Sequence, residues 1–216
     1  AAEASNKIRK MTRVTGPEML STLMEDMAGL KSLPENKPGY KVSKTVSQRR
    51  PELKRNIKLF EKITGFSDRD LHLQNIYQVA PDESPQNPRA NASRTLGRVH
   101  AGKWDEGLKN TPIVLHELTH FLEYSNPQLK EAAQNWLQSR MDPPNQTEPS
   151  QVMGMQEGEL AWKGNYLRPY IARAYPNGNT EVFTMFWNLM GDSLGEYDVE
   201  EDPEYFEFVI GALMAT

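Results

Sequence analysis

The chain has 216 residues, a formal net charge of −4, 38% hydrophobic residues and no cysteine. That balance suits one soluble domain, or a domain with an N-terminal extension. It excludes disulfides and thiolate metal ligands, and gives no bulk electrostatic reason to expect nucleic acid as a partner. No apolar run approaches the roughly 18 residues of a membrane span, and no signal peptide is visible. Beginning at Ala1 rather than Met, the chain reads as a processed product or an excised piece.

In chain order, Thr15-Gly16-Pro17-Glu18 reads as a helix start. Leu20, Leu23, Met24, Met27 and Leu30 then follow at helical spacing, the pattern of a core-facing stripe. Residues 31–50 are polar and broken by Pro34, Pro38 and Gly39. Pro51 opens a second helix through Leu59, Phe60 and Ile63 to about Gly65, and Ile76 to Val79 reads as a short strand. Residues 80–93 read as a polar, proline-rich loop, and Arg98-Val99-His100-Ala101 as a strand. A helix is expected at about 111–124. Asn126-Pro127 starts an amphipathic one with Leu129, Ala133, Trp136 and Leu137, and a polar loop follows at 141–151. Asn179-Thr180-Glu181 caps a further helix carrying Val182, Phe183, Phe186, Leu189 and Met190. Asp202-Pro203 starts the last, with Phe206, Val209, Ile210 and Leu213. The expected class is helix-rich α+β with a small sheet.

The helix at 111–124 carries His116-Glu117-Leu118-Thr119-His120, the H-E-x-x-H pattern. Residues i and i+4 share a helix face, so both imidazoles can aim at one metal ion. Glu117 points roughly 100° away around the helix, where its carboxylate can act as a base without being a ligand. The plain alternative is a chance pair of helical histidines beside a solvated Glu. The apolar flanks Ile113, Val114, Leu115, Leu118, Phe121 and Leu122 weigh against it, because buried histidines around a buried carboxylate need a reason. One zinc ion per chain is expected.

A catalytic zinc takes a third protein ligand. Gly and His at the eighth and eleventh positions of the motif would mark one large protease group, but Glu123 and Asn126 stand there. Without cysteine, the third ligand is an oxygen donor or one of the spare histidines, His72 and His100. Glu181, at the head of an apolar helix, is the best placed; Glu123, Glu157 and Glu159 are rivals.

The motif, followed far downstream by Tyr175-Pro176-Asn177-Gly178-Asn179-Thr180-Glu181-Val182-Phe183, resembles the gluzincin metallopeptidases. The likeness is closest to the anthrax lethal factor type of catalytic domain. The chain is also similar to zincin-like domains of phage head-associated and bacterial effector-like proteins, including the final segment Asp202-Pro203-Glu204-Tyr205-Phe206-Glu207-Phe208. The resemblance covers about residues 95–216, leaving 1–94 as an N-terminal helical and irregular portion packed on that core. It implies His116, His120 and Glu181 as ligands, Glu117 as general base, and a loop tyrosine, Tyr175 or else Tyr170, as electrophilic helper. It further implies a zincin-like fold in which an edge strand, read here as Arg98–Ala101, borders the cleft. The pattern departs at Met185, where lethal factor-like domains carry a second acid, so Asp192 or a backbone carbonyl would orient a histidine instead. The expected activity is zinc-dependent endopeptidase action on a peptide or protein substrate. A zinc hydrolase of a non-peptide amide and a zinc-stabilised structural or effector module are the alternatives. Neither nucleic acid nor membrane is expected as a partner. The sequence assigns no oligomeric state and no compartment; a secreted, phage-associated or effector-associated setting is what the resemblance allows.

Overall fold

The computed structural model describes residues 17–31, 41–42, 51–65, 75–77, 91–93, 97–100, 110–191, 198 and 200–216. Helix α1 (Pro17–Gly29) opens on a proline, whose missing N–H costs nothing in the first turn. Its stripe of Leu20, Leu23, Met24 and Met27 is buried. Leu30, expected to extend that stripe, falls past the last helical residue and is 45% exposed. Helix α2 (Pro51–Thr64) buries Leu53, Ile57, Phe60 and Ile63 and stops at Gly65, whose φ of 64° is left-handed and favours glycine. Asn56 Nδ2 donates to Ser21 Oγ across the α1–α2 contact at 3.1 Å.

Four short strands form one sheet: β1 (Lys41–Val42), β2 (Asn75–Tyr77), β3 (Asn91–Ser93) and β4 (Arg98–His100), in the order β1-β2-β4-β3. The β1–β2 and β2–β4 pairs are parallel; β3 runs antiparallel to β4, with Ala92 opposite Val99. Two expectations are corrected here. The end of the stretch read as a loop at 80–93 is strand β3. Arg98–His100 is internal rather than an edge, with Val99 wholly buried, and the edge on that side is β3. Asn-Ala-Ser is a poor strand former in isolation; pairing along β4 decides its conformation. Of the expected strand Ile76–Val79, residues 78 and 79 lie outside the described residues.

Helix α3 (Asn110–Ser125) carries the histidine motif and packs on β3, β4 and α2. Helix α4 (Pro127–Ser139) follows at once: Asn126 Oδ1 accepts from Leu129 N at 3.1 Å, a cap contributing about 1 kcal/mol. Residues 141–174 run as an irregular excursion, stitched by the bridges Met141↔Gly164, Ser150↔Ala161 and Ala161↔Arg173 and closed by a 3₁₀ turn at Pro169–Ala172. Helix α5 (Thr184–Gly191) then packs along α3 and α1, and α6 (Pro203–Ala215) packs on α2. Asp202 caps α6 by accepting from Tyr205 N at 3.2 Å, and it also takes Arg140 in a two-pronged ion pair.

The result is a helix-rich α+β architecture with a small sheet, in which one apolar cluster runs from α1 and α2 through α3 to α5 and α6. Trp187 marks its centre. Its ring meets Phe60 edge-on at 5.7 Å, and its Nε1 donates to Thr119 Oγ1 at 2.7 Å, so the buried indole N–H is satisfied. At the far end of α5, Gly191 lies against Pro112: a Cβ there would stand 2.1 Å from the proline Cγ. Among the described residues no helix is long and apolar enough to cross a membrane.

Candidate metal centre

His116 and His120 stand one turn apart in the middle of α3, their ring centroids 5.0 Å apart and their planes 81° to each other. The helix holds them firmly because Val114, Leu115, Leu118 and Phe121 are wholly buried around them. Both Nε2 atoms turn to one carboxylate oxygen: Glu181 Oε2 lies 3.2 Å from His116 Nε2 and 3.5 Å from His120 Nε2. The ligand atoms of the three residues lie within 4.8 Å of one another, and no other such group occurs among the described residues. Glu181 sits in the turn just before α5 rather than within its first turn. Its carbonyl accepts from Met185 N at 3.0 Å, so it leads the chain into the helix.

The carboxylate of Glu181 is fixed at both oxygens. Oε2 accepts from Thr184 Oγ1 at 2.5 Å, and Oε1 accepts from the Tyr175 hydroxyl. It is 1% exposed, and its ion-pair partners among the described residues are the two histidines. An ionised carboxylate in such a place demands a cation. Two neutral imidazole nitrogens and one carboxylate oxygen are the donor set of a catalytic zinc site, so these residues fit a metal ion.

Electrostatics agree with that fit. Burial opposes ionisation of Glu181, but the hydrogen bond and charge of His116, aided by His120 and Thr184, hold it down at about 2. Burial pushes His120 down to about 4, leaving its imidazole neutral near pH 7, as a ligand must be. For His116 burial acts the same way, yet Glu181 and Glu117 outweigh it and raise the pKa, so proton and metal compete for that imidazole. Glu117 is not one of the three convergent groups. Burial drives its pKa up to about 7, against the pull of His116, and a backbone hydrogen bond from Ala92 ties it to strand β3.

The other candidates take other partners. Tyr175 lies at the centre with its hydroxyl on Glu181, and the Arg173 guanidinium covers its ring at 4.7 Å. Burial, with Glu181 next, raises its pKa far above the usual phenol value. Tyr170 stands one step back, accepting from Arg173 Nη1 at 2.5 Å. Glu159 pairs with Arg173 at 3.1 Å, Glu157 is exposed, and Glu123 accepts hydrogen bonds from Thr180, so none of the three rivals joins the histidines. His100 lies on β4, while His72 and Asp192 lie outside the described residues. A backbone hydrogen bond to Thr184 and the Asn188 amide, 3.3 Å from Nδ1, flank His116. Sequence reasoning missed Ala92, Thr184, Asn188 and the Glu123–Thr180 link. Thr184 left a signal, three residues after Glu181, and Asn188 follows one helical turn later.

A scan of protein-family models, a search of curated proteins and a search of solved structures each found no match to this chain.

Proposed function

We propose that this protein is a zinc-dependent endopeptidase of the gluzincin kind, holding one zinc ion per chain through His116, His120 and Glu181. The observation that carries the reading is the convergence of two imidazole nitrogens and one carboxylate oxygen, with a second buried carboxylate, Glu117, beside them but outside the set. When bound, zinc supplies Lewis acidity, polarising a carbonyl and acidifying water. Glu117 accepts the proton of the attacking water and delivers it to the leaving nitrogen; a pKa near 7 suits both halves of that task. Tyr175, whose hydroxyl already points into the centre, donates to the developing oxyanion.

The substrate is an extended peptide or protein segment. It lies along β3, whose Ala92 touches Glu117, and adds to the sheet through main-chain hydrogen bonds, in a zincin-like arrangement where the edge strand borders the cleft.

The test compares the parent with Glu117→Gln in metal analysis and digestion of a peptide library. Both proteins should carry one zinc per chain, and the variant should hydrolyse peptides at least about 10²-fold more slowly. Equal rates overturn the role of Glu117. A zinc-loaded parent that cleaves no peptide overturns the peptidase reading and leaves hydrolysis of a non-peptide amide, or a structural module, in its place.

A further inference from the structure

We propose that Glu123 is a positioning residue for the third metal ligand, acting through Thr180; this rests on the metal-site reading above. Glu123 lies one turn beyond His120 on α3 and is 1% exposed. Its Oε1 accepts from Thr180 Oγ1 at 2.8 Å and from Thr180 N at 3.1 Å, with Oε2 3.4 Å from the same N–H. Thr180 Oγ1 in turn accepts from Val182 N at 3.3 Å. The peptide N–H groups of Thr180 and Val182 flank Glu181, and both lead back to Glu123, one directly and one through the threonine hydroxyl. The helix that bears the two histidines thus also sets the backbone of the residue that bears the carboxylate.

The cost of this arrangement argues for a purpose. A buried carboxylate without a cation is unfavourable, and among the described residues Glu123 has none at ion-pair distance. Lys130 spends its ammonium on Asn177 O at 2.9 Å and Asn179 Oδ1 at 3.2 Å, while Gln134 Nε2 holds Gly178 O at 2.8 Å. Those outer contacts already fasten the loop to α4. What Glu123 adds is control of the two peptide units beside the ligand, where a small rotation would swing Glu181 Oε2 away from the imidazoles.

The experiment measures zinc affinity, by competition with a chelator, for the parent, Glu123→Ala, Thr180→Val, their combination and Glu123→Gln. Amide exchange of the metal-free proteins is followed in parallel. Glu123→Ala should weaken zinc binding by about 10–100-fold. Thr180→Val should weaken it in the same direction, and the double variant should be little worse than the worse single one, because both remove one link. Glu123→Gln keeps an acceptor for Thr180 and should restore affinity to within about threefold. Amides of Thr180 and Val182 should exchange faster in metal-free Glu123→Ala than in the parent. If Glu123→Ala does not fold, Thr180→Val and Glu123→Gln carry the comparison. Parent-like affinity in folded Glu123→Ala or Thr180→Val, a loss in Glu123→Gln as large as in Glu123→Ala, full additivity, or unchanged exchange overturns the proposal while the zinc reading stands. A parent that binds no zinc overturns that reading, and this one with it.

Discussion

Tyr175 holds Glu181 Oε1, while Oε2 faces the histidines and Thr184. Under the proposed function the phenol would have two jobs to divide: keeping the Glu181 carboxylate in one rotamer and, during turnover, donating to the oxyanion. Tyr175→Phe separates them, since the ring stays under Arg173 and only the hydroxyl goes. With zinc saturating, kcat should fall by about 10²–10³, the range for loss of an oxyanion donor. A fall below about threefold leaves the hydroxyl as a clamp on Glu181 alone. At this scale the sequence was legible where spacing along one helix suffices: the convergence of His116 and His120 follows from their own five letters. Glu181 was reached through its place at the head of an apolar helix and through family resemblance. Its hydrogen bonds from Tyr175 and Thr184 come from six and three residues away in its own segment, whereas the engagement of Glu123 by Thr180 spans 57 residues, depends on how distant segments fold together, and is encoded by no local pattern.

Among the elements, β3 bears most directly on the proposed base, because its Ala92 hydrogen-bonds Glu117. That N–H is spent on the helix, so a proline at 92 leaves the pairing with β4 largely intact; edge strands accept proline in that orientation. Val99→Pro would instead strike the interior of the sheet. We expect Ala92→Pro to fold and keep its zinc. The hydrogen bond it removes favours ionised Glu117, so the pKa of that carboxyl moves upward. The acidic limb of the pH–rate profile, which belongs jointly to Glu117 and the water it deprotonates, should shift to higher pH. An unmoved limb would separate Ala92 from the ionisation of Glu117. The helices were legible from stripes and caps: Asn126 and Asp202 cap as their residue types foretell, and α1 and α2 start at their prolines. β3 was not, because Asn91, Ala92 and Ser93 carry no alternation and take their shape from a neighbour across the sheet.

For the whole molecule, pH and metal act on the same buried groups. Burial raises Glu117 and Glu123 to about 7, so each favours the folded state at low pH, and that contribution disappears as pH rises from about 4.5 through about 7. His120, lowered to about 4, acts oppositely: its contribution is present above about 6.5 and lost as pH falls to about 4. His116, with a raised pKa, joins the carboxylates in weakening the metal-free fold as pH climbs. The metal-free protein should therefore melt lower at pH 8 than at pH 5.5. Zinc at about 1,000 times its Kd adds about 4 kcal/mol, which for a chain of this size raises Tm by about 10 °C. Its effect should be larger at pH 8, where protons compete less for the imidazoles than at pH 5.5. Melting curves with zinc and with a chelator at both pH values check this; equal shifts, or none, contradict it. The separation in sequence between the histidines and Glu181 has a consequence in time. The excursion at 141–174 must be laid down and α5 docked on α3 before three donors face one point. A fragment ending before Glu181 lacks the carboxylate of the three-residue group, so under the proposed function tight capture would wait for the last pieces to arrive. If the three residues hold a metal, its uptake would distinguish finished molecules from partly folded ones and would report the closing step of folding.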